Sequence, residues 1–170
     1  MTHWMNQAVR RAGLPCADRL DLPQGLDIGE VWTRTMEVCD VSADRVAEAV
    51  ARAFHLETIA VSDAEPTAAR LLPEAVARRH RALPVRDLNR SLVVAVSDPS
   101  DPEMEQDIRF ASGRIPELRV APPTVVKDAL DRIYGEEATV ESFLSGVSAD
   151  GVAEVELAED EGPERVDPAE

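Results

Sequence analysis

Lysine is almost missing from this chain of 170 residues: Lys127 is the single one among 18 basic side chains, the rest being Arg. That scarcity excludes many lysine-dependent phosphate chemistries at any second site. No GxxxxGK[ST] occurs, so the chain carries no P-loop to cradle a triphosphate. No GxSxG elbow or recognisable cysteine signature is present, and His3, His55 and His80 stand far apart with no HxxxH spacing. Catalysis, a metal site and a resident cofactor are therefore not expected. No 18 apolar residues run without interruption, so no membrane span or direct membrane insertion is expected. The two cysteines, Cys16 and Cys39, form no CxxC, and the start MTHWMNQAVRR lacks the apolar stretch of a secretory signal. The expected location is the cytoplasm.

Positive charge is also in short supply. Against 33 acidic side chains the 18 basic ones leave a net charge of -15, which repels nucleic acid and anionic lipid. Residues 135–170 hold 12 acids and one Arg, a net of -11, so residues 1–134 carry the remaining -4. With few aromatics and high charge, the stretch 136–170 reads as a disordered acidic tail or linker. Within it Val140, Phe143, Leu144 and Val147 fall at i, i+3, i+4 and i+7, either a chance grouping or a segment that folds on a partner.

What is present is an α/β pattern in short pieces. Trp4, Ala8 and Ala12 mark a first helix before Gly13, and Trp32 and Met36 mark a second, with LPCADRLDLPQGLDIG between them read as a linker or long turn. Ser42 caps a helix that carries Val46, Ala49, Val50 and Ala53 on one face. Residues 56–70 read as an irregular connection in which Ile59 and Val61 alternate like a short strand. Pro73 suits the first turn of a helix that ends in Arg78, Arg79 and Arg81. ALPVR and SLVVAVS, separated by a turn over 87–90, predict an antiparallel hairpin. Asp101 and Pro102 then open a helix stopped by Gly113, a third strand covers Glu117–Ala121, and Thr124 caps a last helix ending at Gly135. The order over 73–135 is α-β-β-α-β-α, giving a small three-stranded, antiparallel-containing sheet packed with helices.

The run Leu71–Arg86 (LLPEAVARRHRALPVR), then Leu92–Pro99 (LVVAVSDP), Asp107–Gly113 (DIRFASG) and Ile133-Tyr134-Gly135 resemble the N-terminal domain of type II secretion and type IV pilus assembly ATPases. The resemblance covers 42–135 well and 1–41 poorly, so 42–135 is expected to form the α/β domain after a helical N-terminal region. It implies a non-catalytic module that docks on an assembly protein, joined to a motor by an acidic linker, and recruited to the inner membrane through its partner. A branch of the family binds cyclic-di-GMP through an Arg-Leu-Gly and a later Gln. Here Glu30-Val31-Trp32 stand at the first positions and Ala53 at the last, and a carboxylate at Glu30 repels phosphate, which argues against the usual mode of binding.

The dense basic cluster Arg78, Arg79, Arg81, Arg86 and Arg90, with His80 among them, has two readings. It is either a site for an anion or an acidic partner, or a solvated helix end paired with Glu74 and Asp87. A sensor that binds cyclic-di-GMP or another anion there in a non-standard way is the alternative to docking, and the acidic tail folding back on the cluster is a further one. Asp98, Asp101, Glu103, Glu105 and Asp107 fit no calcium loop and suit a helix start. Trp4 and Trp32, with Phe143 and Leu144, are candidate docking anchors, the two tryptophans being candidate core residues as well.

Overall fold

Four helices begin at a side chain that accepts a backbone N–H and end at a residue in the left-handed region, so the local chemistry sets their bounds. In the computed structural model, which describes residues 2–135, α1 (Trp4–Ala12) runs from His3 to Gly13 and α2 (Ile28–Cys39) from Asp27 to Asp40. Helix α3 (Ala43–Phe54) runs from Ser42 to His55 and α6 (Pro102–Ser112) from Asp101 to Gly113. Burial pushes the His3 pKa down, which suits its cap: Nδ1 accepts the Met5 N–H at 3.2 Å. The shorter α4 (Pro66–Ala69) and α5 (Glu74–His80) carry no side-chain cap, and α7 covers 123–135. Phe143, Leu144 and the whole stretch 136–170 lie outside the described residues.

The expected α-β-β-α-β-α order is present, and the sheet is larger than the sequence suggested. Strands β2 (Ala82–Asp87) and β3 (Ser91–Val96) form the antiparallel hairpin; β4 (Ile115–Val120) pairs parallel to β3. A fourth strand, β1 (Glu57–Thr58), pairs parallel to β4, giving the order β1-β4-β3-β2. Two residues are too few to show an alternating pattern, which is why β1 was missed. Ile59 and Val61 are not strand: Val61–Asp63 is a 3-10 turn, because α4 must follow to cover the edge of β2, where the Glu65 N–H bonds the Val85 carbonyl at 2.8 Å. A bulge between Pro84 and Arg86 falls on that edge strand, where a missing proline donor is least costly. Strand β4 begins at Ile115 rather than Glu117. Helix α7 begins at position 123 rather than after a Thr124 cap, since Pro123 lacks only an N–H that the first turn leaves unpaired.

The stretch 14–29 is not a linker. Leu14, Cys16, Leu20 and Leu22 are buried in one core with Met5, Val31, Val46 and Val50, and Val120 of β4 joins them. Asn6, itself buried, holds that stretch by accepting the Leu22 N–H and donating to the Leu22 carbonyl, both at 3.2 Å. Cys16 and Cys39 are joined as a disulfide, Cα atoms 4.7 Å apart, which ties the stretch to the end of α2. The chain divides into two units, Met1–Ile133 and Tyr134–Glu170, and these elements belong to the first up to residue 133.

Trp32 is 1% exposed and lies in this core, which corrects its candidacy as an exposed anchor. Its Nε1 donates to the Ser97 carbonyl at 3.2 Å, and the Ser97 hydroxyl donates to the Ala121 carbonyl at 2.8 Å. Trp4 is half-buried, its ring edge-on to Phe54 at 5.4 Å, so it too serves packing.

Two measurements check this packing. Trp32→Phe keeps most of the ring and strands the buried Ser97 carbonyl, so urea unfolding is expected to show a loss of about 1–3 kcal/mol. Reduction of the disulfide, or the paired change Cys16→Ser and Cys39→Ser, is expected to lower stability by about 3 kcal/mol through the freed loop entropy of the unfolded chain, read as a lower melting midpoint.

Candidate functional site

The carboxyl end of β3 meets three helix ends, and a cleft of about 300 Å³ opens there. Its walls are Leu26, Asp27 and Ile28 at the start of α2, Arg79, His80 and Arg81 at the end of α5, and Ser97, Asp98, Asp101 and Met104 between β3 and α6. A cleft at the carboxyl end of a parallel strand, between packed elements, is where an α/β sheet offers a site.

Each polar group in it has an assigned partner. Arg81 makes a bidentate pair with Asp27, at 2.6 and 3.1 Å. Arg81 occupies the left-handed region, φ 49°, because α5 has to end there and turn at once into β2. No glycine is supplied, so the backbone strain is offset by helix capping and by the pair with Asp27. Asp27 also caps α2 through the Gly29 N–H at 2.9 Å. The hydrogen bond from Arg81 is the main cause that holds the Asp27 pKa below its usual 3.8.

His80 is the buried centre of the cluster, its side chain 4% exposed. Nδ1 lies 3.2 Å from an Asp101 oxygen and Nε2 lies 2.8 Å from an Asp107 oxygen, so the ring bridges the N-cap and the second turn of α6. Asp101 meanwhile caps α6 through the Glu103 N–H at 2.9 Å. Asp98 accepts from the Ser100 N–H at 3.0 Å and from its hydroxyl at 2.5 Å, a closed turn. The acidic run thus starts a helix and fixes a histidine; among the described residues no group of side chains is arranged to hold a metal ion.

The structure disperses the basic cluster. Arg79 and Arg81 reach the cleft, and Arg79 sits 3.5 Å from Asp107 and 3.9 Å from Glu103. Arg78 points elsewhere, to Glu74 and to Asp131 of α7, both at 2.7 Å, and these two carboxylates raise its pKa. Arg86 pairs with Glu65 at 3.3 Å across the β2 edge, and Arg90 lies exposed at the hairpin turn. The expected partner Glu74 is found; Asp87 instead binds Arg114 at 3.1 Å, because the hairpin turn lies against the start of β4. The cleft lining sets three carboxylates against two guanidiniums, so the walls are mixed in sign rather than cationic. Sequence reasoning missed Asp27, although Asp27 followed three residues later by Glu30 is the signature of a helix start. It also missed the exposure of Phe110, which only the packing of α6 reveals.

Arg81→Ala tests the pair on the cleft wall. A carboxylate whose folded pKa lies below its unfolded value adds stability that is present above the unfolded value and lost as pH falls through the folded one. The deficit of Arg81→Ala relative to the parent is therefore expected to be largest at neutral pH and to close below the usual Asp value of 3.8. With side chains 42% and 57% exposed, the solvent-screened deficit is expected to be at most about 1 kcal/mol in urea midpoints.

Comparison with known proteins places this architecture. A family model described as the MshEN domain matches residues 53–140. The type IV pilus assembly ATPase PilB of Myxococcus xanthus strain DK1622 is 34% identical over 89 residues, which is 52% of this chain and 16% of that protein. Among solved structures, MshE with cdg is similar at a TM-score of 0.52 and 21% identity, over 76% of this chain and 98% of that one. The N-terminal domain of XpsE is similar at 0.55 and 19% identity, over 75% and 92%. The chain belongs to the MshEN domain family, the N-terminal domain type of the secretion and pilus ATPases that its sequence blocks resemble.

Proposed function

We propose that this chain is a non-catalytic docking module of a type II secretion or type IV pilus system, binding an assembly protein that holds it at the inner membrane. The observation that carries the reading is the state of the arginines. Arg78, Arg79, Arg81 and Arg86 each face a carboxylate of the same chain within 4 Å, so a free anion would have to displace an internal partner from each of them. Family membership supplies the setting, and the cytoplasm is the side on which such a module would meet its partner. No helix among the described residues is long and apolar enough to cross a membrane, so recruitment through a partner is the consistent route.

A second reading is a sensor of cyclic-di-GMP or another anion. The fold likeness to MshE with cdg and the presence of Arg79 and Arg81 in the cleft favour it. Against it stands the local geometry at the positions that the sequence resemblance sets against the family's ligand motif. Glu30 is held by Arg34 at 2.6 Å, Trp32 is in the core, and Ala53 offers no hydrogen-bonding group.

The two readings separate in one pair of titrations. The intact chain mixed with the cytoplasmic portion of an inner-membrane assembly protein from the same organism is expected to give a saturable complex by calorimetry. Cyclic-di-GMP over the same range is expected to give no heat and no rise in melting midpoint. A midpoint rise with cyclic-di-GMP that Arg81→Ala abolishes would replace docking with sensing, and no complex with the assembly protein would remove docking.

A further inference from the structure

Phe110 is 92% exposed, the most exposed of the large apolar side chains among the described residues. The cause is helix phase: α6 buries Met104 and Ile108 against the sheet, and a position two residues past Ile108 lies some 200° around the axis. Near this end of α6 two more apolar side chains stand in solvent, Ile115 at 55% and Leu88 at 47%. Topology brings their backbones to one end of the sheet. The Leu88 N–H bonds the Ser91 carbonyl at 2.9 Å, the Ile115 N–H bonds the Arg90 carbonyl at 3.1 Å, and α6 runs through Gly113 straight into Ile115. This is the end of the sheet opposite the cleft.

The charge here is reversed relative to the chain. Arg90, Arg109 and Arg114 gather at this end against two acids, Asp87, which is held by Arg114, and Glu117, which accepts from the Ser91 hydroxyl. In a chain of net charge -15 a cationic, apolar end is the place where an acidic surface can approach without repulsion. The sheet itself offers little for strand addition. The Ile115 and Ala121 N–H groups point to β3, so by alternation position 116 faces the side where β1 covers only Arg119 and Val120, and Pro116 has no N–H to give there. Recognition at this end therefore runs through side chains.

We propose that the end formed by Phe110, Ile115 and Leu88, framed by Arg90 and Arg109, docks an acidic helical segment of a protein partner that carries apolar anchors. This names a surface for the docking module described above and rests on that reading. Phe110 enters the partner's apolar stripe, and the arginines meet its carboxylates at the rim, where they set the on-rate and the salt dependence.

The test uses the intact chain, isotopically labelled, and as probe a short capped peptide with Glu on one helical face and Leu and Phe on the other. Amide shifts are expected to saturate and to cluster at residues 87–91 and 109–115. Phe110→Glu, an exposed change whose melting midpoint should match the parent, is expected to weaken binding at least about tenfold. Arg109→Glu is expected to weaken it most at low salt. No saturable shift, shifts centred on the cleft, or undiminished binding by Phe110→Glu each overturns the proposal. So does a stronger response of the same residues to phosphatidylglycerol vesicles, which would make this end a lipid contact. A complex with the assembly protein that survives Phe110→Glu overturns this surface and leaves docking standing, whereas no complex with the unaltered chain removes the docking reading itself.

Discussion

The hydrogen bond from the Trp32 indole to the Ser97 carbonyl is the joint on which the architecture turns. Strand β3 is buried along nearly its whole length, so the backbone that leaves it at Ser97 has no water to bond. Trp32 satisfies that carbonyl from α2, and the Ser97 hydroxyl satisfies the Ala121 carbonyl at the end of β4. One residue thereby joins the N-terminal helices, the central strand and the neighbouring parallel strand. The same residue lines the cleft, so the cleft's floor is fixed by core packing rather than by loop chemistry.

Around that floor, the charged side chains mostly answer one another. Asp27 caps α2 while facing Arg81, Asp101 caps α6 while binding His80, and Asp107 binds His80 while facing Arg79. Such sharing links α2 to α5 and α5 to α6 through side-chain pairs. It also neutralises the basic cluster from within, which is why a stretch dense in Arg does not yield a cationic surface at the cleft. Exposed pairs of this kind add little stability one by one, and their main effect here is positional.

The two ends of the sheet differ for the same topological reason. At the carboxyl ends of the parallel strands, helix starts converge and demand carboxylate caps, so acids collect beside the arginines. The other end receives the hairpin turn and the end of α6, and arginine and apolar side chains are left outward. Among the described residues that end sets Arg90, Arg109 and Arg114 against Asp87 and Glu117, in a chain of strong net negative charge.

The sequence by itself determined the bounds of α3 and α6, because caps such as Ser42, Asp101 and Gly113 act through bonds to residues a turn away. It determined the hairpin, whose valine run and turn residues are local, and the family, through blocks that recur in order. Periodicity also placed Val46 and Val50 inside. Only the tertiary structure decided the rest. Strand β1 exists because β4 offers it an edge, and the stretch 14–29 is ordered because Asn6, the disulfide and the core hold it. Which arginine meets which carboxylate was equally hidden: Arg81 finds Asp27 across 54 positions and Arg78 finds Asp131 across 53. The burial of Trp32 and the exposure of Phe110 depend on what packs against each ring. Local bonds are written in short spacings, whereas burial and long-range ion pairs depend on which surfaces the chain brings together, a property of the whole fold.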